Sequence, residues 1–551
     1  MKARSLSESD REFFTLVSRA AFTNPFSRAR LEIDRKITGD TSGRPWVGIR
    51  PSAISEVSSR IEKLDADKPV RIPDFRASER LLLEHVFLFD EYHKLNAPFD
   101  DLIARQDRAG DEPLKVPFAD DAIRRLVDRG IRPDEAKRYF SAFYQIRRAF
   151  YFIDKSLIGQ SASMRKLRED LWNNIFTYDI NQYQLYLWDR MEDFSTLLLG
   201  PTGCGKGTAA AAIGRSGYIP YDEKKNAFAR SFTQTFISVN LSQFAETLLE
   251  SELFGHARGA FTGAVESHDG LFALCGEYGS IFLDEIGDLS PQVQLKLLKV
   301  LEERTFSPVG SHKRLRFRGR VIAATNIDLD ELRRNKRFRD DFYYRLCSDC
   351  IIVPGLQQRL RENPDELREL VAHTVRHITG KDSPDLVALT VDVINKRLGP
   401  DYPWPGNVRE LAQCIRRVII KHDYQGQTPA APATLLDRLL AADKTDNTGA
   451  AATFIAAGAD TMFVRGADNG IASLTATKHS LPFQFPGISA ADTQLPTAQE
   501  LLHQYCSRLY VRYGSYEKVA EITRLDSRTV KKYIHAANRP TSPHRRRSSG
   551  R

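Results

Sequence analysis

Residues 197–208 read LLLGPTGCGKGT, and no other stretch constrains the chain as tightly. The apolar run Leu197 to Leu199 has the composition of a strand buried on both faces. It breaks into Gly200, Pro201, Thr202, Gly203, Cys204, Gly205 and Lys206, and the alanine-rich sequence from Thr208 predicts a helix. Glycines let the backbone curl so that successive N–H groups point at phosphate oxygens. The helix behind presents its positive end, and the lysine adds a full charge. Strand before and helix after supply the context that a chance glycine-rich turn lacks, so the stretch reads as a nucleotide-binding loop. One detail departs from the general pattern: Gly207 stands where a hydroxyl is usual, with Thr208 one place later. A Mg²⁺ ion would therefore lean on an acidic residue elsewhere.

Residues 281–285, IFLDE, supply that residue: an apolar strand ends in two carboxylates. Asp284 is placed to hold Mg²⁺ and Glu285 to orient or deprotonate an attacking water. Around these motifs, from 156 to about 420, apolar strands alternate with amphipathic helices, which predicts a doubly wound α/β domain. A length of 551 residues leaves room for about three or four domains in all.

Residues 1–155 read as helical. Phe13, Leu16, Val17 and Ala20 recur at helical spacing, as do Leu81, Leu82, Val86, Phe87 and Phe89, then Tyr139, Phe140, Phe143, Ile146, Phe150 and Phe152. These stripes predict core, and with no catalytic constellation among them the segment reads as a regulatory or sensory domain whose input is not legible. No apolar run approaches the roughly 20 residues that span a membrane, and the opening MKARSLSESDREFF lacks the apolar core of a signal peptide. Six scattered cysteines make no disulfide framework, and Cys347 and Cys350 stand without a second pair, so a reducing cytoplasm is the expectation. Residues 425–496 hold ten charged residues and no Trp or Tyr, a linker composition with one short helix expected at 433–442. The net charge of +9 is concentrated beyond that point: residues 497–551 carry twelve Lys and Arg against four Asp and Glu. That imbalance points to nucleic acid at this end.

The stretch ESELFGHAR runs into Gly259, Ala260, Phe261, Thr262, Gly263 and Ala264, and this hexapeptide resembles the signature loop of the sigma-54-dependent transcription activators, the AAA+ enhancer-binding proteins. The resemblance begins at Leu157-Ile-Gly-Gln-Ser and runs to about Ile420. It implies an ATP- and Mg²⁺-dependent motor that remodels the closed complex of the sigma-54 RNA polymerase holoenzyme, with the hexapeptide gripping sigma-54. Asn240 matches the residue that restrains the catalytic glutamate, and Ala323-Ala-Thr325-Asn326 resembles sensor I. Arg339 and Arg345 match paired arginines that reach into a neighbouring subunit, which implies a homo-oligomer, a hexamer by analogy. Trp404-Pro-Gly-Asn-Val-Arg409 looks like sensor II, with Arg409 on the nucleotide. Gly207 replaces the glutamate usual in the family, Pro354-Gly355-Leu356 replaces a double proline, and the stretches 171–193 and 214–232 are longer than the family norm.

At the C-terminus a helix is expected over 497–510, and residues 516–523 and 527–537 read as two helices about a tight turn. Val519, Ala520, Ile522, Leu525, Val530 and Ile534 have the spacing of a helix-turn-helix core. Ser527, Arg528, Lys531 and Lys532 would face double-stranded DNA. The segment resembles a Fis-type helix-turn-helix, although Arg524 stands where Gly is common. The expected architecture is multidomain: helical residues 1–155, an α/β AAA+ P-loop core at 156–355, a helical lid at 356–424, a linker at 425–496, a three-helix DNA-binding domain at 497–538 and a basic tail at 539–551. Two other readings compete: a DNA-binding repressor whose core binds nucleotide only to control assembly, and an AAA+ remodeller of another client. The intact hexapeptide argues against both.

Overall fold

The computed structural model describes residues 3–41, 46–66, 68–426, 453–456, 461–465, 471–475, 506–507, 509–510, 513–523 and 525–536. The chain divides into two compact units, Met1–Ala433 and Thr434–Arg551.

The first unit is built on five parallel strands: β1 Thr196–Leu199, β2 Phe236–Asn240, β3 Ser280–Asp284, β4 Arg320–Thr325 and β5 Asp349–Ile352. Their order is β5-β1-β4-β3-β2. Period-two alternation divides the side chains between two cores. Leu198, Phe282, Ile322, Ala324 and Ile351 point to one, and Leu197, Ile281, Leu283, Val321 and Ala323 to the other. Both faces are covered, which is why β1, β3 and β4 read as unbroken apolar runs. Register aligns Leu199 with Thr325 and Ile352, and Asn240 with Asp284, so the motif residues sit together at the carboxyl ends of the strands.

The expected helices of residues 1–155 are present, from Glu8–Phe22 to Pro133–Ser156. Ser7 and Ser27 cap the first two by accepting from the N–H groups of Asp10 and Arg30. Phe13, Val17, Ala20, Val86, Phe87, Phe89, Phe140, Phe143 and Phe152 are buried, whereas Leu81, read as core, is 62% exposed. The apolar core of these helices is continuous with that under one face of the sheet, through Met164, Leu167, Leu171 and Ala209. The long stretch after the helix Lys206–Gly214 is where the N-terminal helices rest. Ser231 Oγ donates to the Gly110 carbonyl (2.9 Å), and Lys137 pairs with Glu223 (2.6 Å).

A lid of four helices, Leu356–Glu362, Glu366–Thr379, Pro384–Arg397 and Asn407–Lys421, encloses its own core around Leu356, Val371, Trp404, Leu411 and Ile415. Arg359 and Glu366 form a buried ion pair at 2.5 Å. Arg359 also donates to the Ile158 carbonyl, and the Ser161 N–H donates to Glu366, tying the start of the α/β core to the lid.

In the second unit, three strands pair antiparallel inside the stretch expected as linker: Thr453–Ala456, Thr461–Arg465 and Ile471–Thr475. The helices Tyr516–Thr523 and Ser527–Ala536 pack Val519, Val530 and Ile534 with Cys506 and Leu509. The expected helices at 433–442 and over most of 497–510, the Ile522 side chain, and the basic tail lie outside the described residues.

Candidate active site

β1 ends at Leu199 and the backbone turns through Gly203 at φ +76° and Gly205 at φ +110°, conformations that a side chain would strain. The helix Lys206–Gly214 starts directly behind. Lys206 is buried, and its Nζ donates to the carbonyls of Gly200 (2.9 Å) and Pro201 (3.3 Å). Gly207 lies open toward Phe282, while Thr208 is exposed.

The lid seats directly on this loop. A Cβ at Gly203 would lie 2.4 Å from the Gly406 carbonyl oxygen and 3.0 Å from the Arg409 Cβ. The Val408 N–H donates to the Gly203 carbonyl (3.1 Å). Asn407 latches three segments: its Nδ2 donates to the Thr202 carbonyl (3.0 Å) and its Oδ1 accepts from the Leu356 N–H (2.7 Å). Sequence reasoning singled out Arg409 two positions on and missed Asn407. The available signal was the helix-start pattern PGN, which places an amide side chain where one lid helix begins. Arg409 itself is exposed beside the loop.

At the end of β3, the Asp284 carboxylate accepts the Glu285 N–H (3.1 Å), and Glu285 adopts φ +59°, a left-handed conformation unusual for a side-chain-bearing residue. Glu285 Oε2 is buried without a hydrogen-bond partner. Burial, then the neighbouring Asp284 charge, raises its proton affinity above that of an ordinary glutamate, with Lys206 opposing. Thr325 at the end of β4 is buried and accepts from the Ile327 N–H, and Asn326 Nδ2 donates to the Thr202 hydroxyl (2.6 Å). The phosphate loop, Asp284, Glu285, Thr325, Asn326 and Arg409 are thus brought together.

Three further expected residues bond within the chain. Asn240 is in register with Asp284, but its Oδ1 accepts from the Ser242 N–H (3.0 Å) rather than engaging Glu285. Arg339 pairs with Asp341 (2.7 Å), and Arg345 donates to the Leu301 carbonyl (2.9 Å).

Among the described residues no cluster of three or more His, Cys, Asp or Glu could hold a metal ion alone. One strand-end carboxylate beside an anion-binding turn suits Mg²⁺, which keeps most of its waters and takes phosphate oxygens as ligands. Asp284 fits that role.

The hexapeptide folds as its own turn. The Gly259 N–H donates to the Ala264 carbonyl (2.8 Å) and the Ala264 N–H to that of Phe261 (3.0 Å), with Gly259 at φ +79° and Gly263 at φ +102°. Ala264 is buried, Phe261 is 41% exposed against the His256 ring, and Thr262 is exposed. In the second unit, Arg528, Lys531 and Lys532 are exposed, and Asp526 caps their helix by accepting from the Arg528 and Thr529 N–H groups; the Ser527 side chain lies outside the described residues.

A parallel sheet in this order, with a phosphate loop after β1, two carboxylates after β3 and a helical lid on the loop, defines an AAA+ α/β core. Residues 183–351 match the sigma-54 interaction domain. The chain is 39% identical over 227 residues to the transcriptional regulatory protein GlrR of Escherichia coli K12, covering 41% of this chain and 47% of GlrR. It is 36% identical over 278 residues to the Nif-specific regulatory protein of Azotobacter vinelandii, covering 50% of this chain and 46% of that one. The chain thus spans about half the length of the curated relatives it matches. The crystal structure of NtrX from Brucella abortus with ATP aligns at 19% identity and a TM-score of 0.37, over 77% of this chain and 81% of that one.

Proposed function

We propose that the chain is an ATP-hydrolysing transcription activator that remodels the sigma-54 RNA polymerase closed complex. The observation that carries this reading is the pairing of a poised Glu285 with an exposed Phe261-Thr262 tip in a sigma-54 interaction domain. Lys206 exchanges the carbonyls of Gly200 and Pro201 for ATP phosphates, and the loop N–H groups hold the remaining oxygens. Mg²⁺ on Asp284 would neutralise phosphate charge. Glu285 takes the proton of the attacking water, its burial and the Asp284 charge making it a stronger base than an ordinary glutamate. Thr325 and Asn326 sense the γ-phosphate, and Arg409 carries the lid's response.

Arg339 and Arg345 are bonded within their own chain, and they complete the site of a neighbouring copy in a homo-oligomer, a hexamer by family analogy. An arginine supplied in trans contributes on the order of 10³–10⁵ in rate. Asn240 couples Glu285 to the hexapeptide once nucleotide draws it from Ser242. Ser527, Arg528, Lys531 and Lys532 contact upstream double-stranded DNA, in a cytoplasmic protein. No helix among the described residues is long and apolar enough to cross a membrane. A repressor using nucleotide only for assembly has no need of Glu285 held in this state.

The test is ATP turnover per subunit against protein concentration, together with heparin-resistant open complexes on a sigma-54 promoter. Turnover that rises with concentration and open complexes that require ATP support the reading. Concentration-independent turnover removes the trans arginines, and failure with sigma-54 holoenzyme removes the client.

A further inference from the structure

Four of the six cysteines, Cys204, Cys275, Cys414 and Cys506, are buried. The other two stand three positions apart: Cys347 is half-buried and Cys350 is exposed. Cys347 follows the last turn of the helix Asp340–Leu346, where its N–H donates to the Tyr343 carbonyl (2.9 Å). The chain bends at Ser348 and enters β5, on which Cys350 is in register with Leu197. The two side chains meet across this bend, and the Cys347 thiol donates to the Cys350 sulfur. That hydrogen bond holds the Cys350 pKa below the ordinary thiol range, while the same bond and then burial push Cys347 up. The thiolate is the reactive form of a cysteine, so the sulfur that ionises first is also the one that solvent reaches. Two sulfurs without a third ligand make no metal site: among the described residues no group of three or more His, Cys, Asp or Glu is placed to hold an ion. A contacting pair with one exposed member suits thiol–disulfide exchange instead.

The pair sits between two parts of the nucleotide machinery. Two residues before Cys347, the Arg345 side chain donates to the Leu301 carbonyl (2.9 Å), and the Arg345 carbonyl accepts from Ser195 Oγ (2.8 Å). Beyond Cys350, the Val353 N–H donates to the carbonyl of Leu199 (2.8 Å), where β1 ends and the phosphate loop begins. We propose that Cys347 and Cys350 form an exchange site for a low-molecular-weight disulfide, and that oxidation of the pair keeps Arg345 from a neighbouring copy. The second half of this statement rests on the ATPase reading above; the first half does not. In the reaction the Cys350 thiolate attacks one sulfur of the disulfide RSSR and expels RS⁻, leaving a mixed disulfide on Cys350. Cys347 gives its proton to that RS⁻ and attacks the Cys350 sulfur, and the second RS⁻ leaves to take up the proton first lost by Cys350. Two protein thiols are thereby oxidised to one disulfide, and RSSR is reduced to two RSH. The new bond ties the end of the Arg345 helix to the edge strand of the sheet and holds Arg345 on Leu301.

The test equilibrates the full chain with mixtures of oxidised and reduced glutathione and maps every cysteine by peptide mass spectrometry. The expected product is a disulfide between Cys347 and Cys350, lighter by the two thiol hydrogens and reversed by dithiothreitol, with the four buried cysteines unmodified. Cys347→Ser is expected to stop at a glutathione adduct on Cys350, and Cys350→Ser to react at Cys347 slower by about tenfold or more. Thermal melts establish that each variant is folded. Absence of the intramolecular disulfide at every glutathione ratio overturns the proposal, as does Cys347 reacting in Cys350→Ser as fast as Cys350 reacts in Cys347→Ser. In coupling, the oxidised chain turns over ATP about fivefold or more slowly than the reduced chain at equal concentration, because the trans arginine is withheld. Dithiothreitol restores the rate, and Cys350→Ser does not respond to oxidised glutathione; equal turnover by the oxidised and reduced chains overturns the effect on Arg345. A chain that forms the disulfide yet hydrolyses no ATP in either state retains the site and loses the ATPase reading.

Discussion

At the phosphate loop, the residues answer to distant parts of the chain: Gly203 to Gly406 and Val408, the Thr202 hydroxyl to Asn326 and its carbonyl to Asn407, Gly200 to Val353. At the hexapeptide loop, residues 259–264 bond mainly to one another. The stem is fixed where Ala257 donates to Val309 and Ala260 lies against Gly310, and at the tip Phe261 meets the His256 ring. Both are glycine-rich turns, but the first is held by the fold and the second holds itself. A site that must place charge within tenths of an ångström gains from long-range bracing. A loop that must reach a client gains from a tip free to move on a fixed stem.

The largest expected effect tests the braced side. Glu285→Gln keeps nucleotide binding and loses about 10²–10⁴ in kcat, read by steady-state ATPase against ATP affinity. The same substitution separates function from stability. A carboxyl with raised proton affinity in the fold loses stability as pH rises above the ordinary glutamate value of 4.5. Glu285→Gln therefore melts higher at neutral pH, and a lower melting temperature contradicts the burial argument. In the unmodified enzyme the acid limb of activity lies above pH 4.5, since the basic form is lost as pH falls through the raised pKa.

Next come the two turns themselves. Gly203→Ala adds a strained conformation, costing about 1–2 kcal/mol, to a 2.4 Å collision with the Gly406 carbonyl, so nucleotide affinity falls well beyond tenfold. Gly263→Ala has the same kind of strain at φ +102° but nothing within 4 Å, so its ATPase activity stays within about twofold of the unmodified chain. Equal losses in the two variants break the distinction. A smaller effect belongs to the second unit: Arg528→Ala costs roughly 1–3 kcal/mol of DNA affinity if it reads a guanine, measured by filter binding at fixed salt.

Legibility in the sequence followed the same division. Lys206, Asp284 and Glu285 were readable because a strand, a turn and the next residues suffice to place them. Asn407 was not, because its latch joins residues 202, 356 and 407, and no local spacing encodes that closure. Leu81 fitted a helical stripe yet faces solvent, since periodicity alone does not fix which side of a helix a neighbour covers. The helical nature of residues 1–155 was legible, but their shared core with the sheet was not, because it depends on the seat formed by residues 215–232. The strands at 453–475 arose from a composition that reads as linker, with Phe454, Ile455, Phe463 and Val464 the local signal.

The central claim is that one loop hydrolyses and the other couples, and Thr262→Ala tests it most directly. ATPase activity and open-complex formation with sigma-54 holoenzyme are measured on the same preparation. The account predicts unchanged ATPase activity and lost open complexes. Open complexes at the unmodified level, or loss of both activities together, would contradict it.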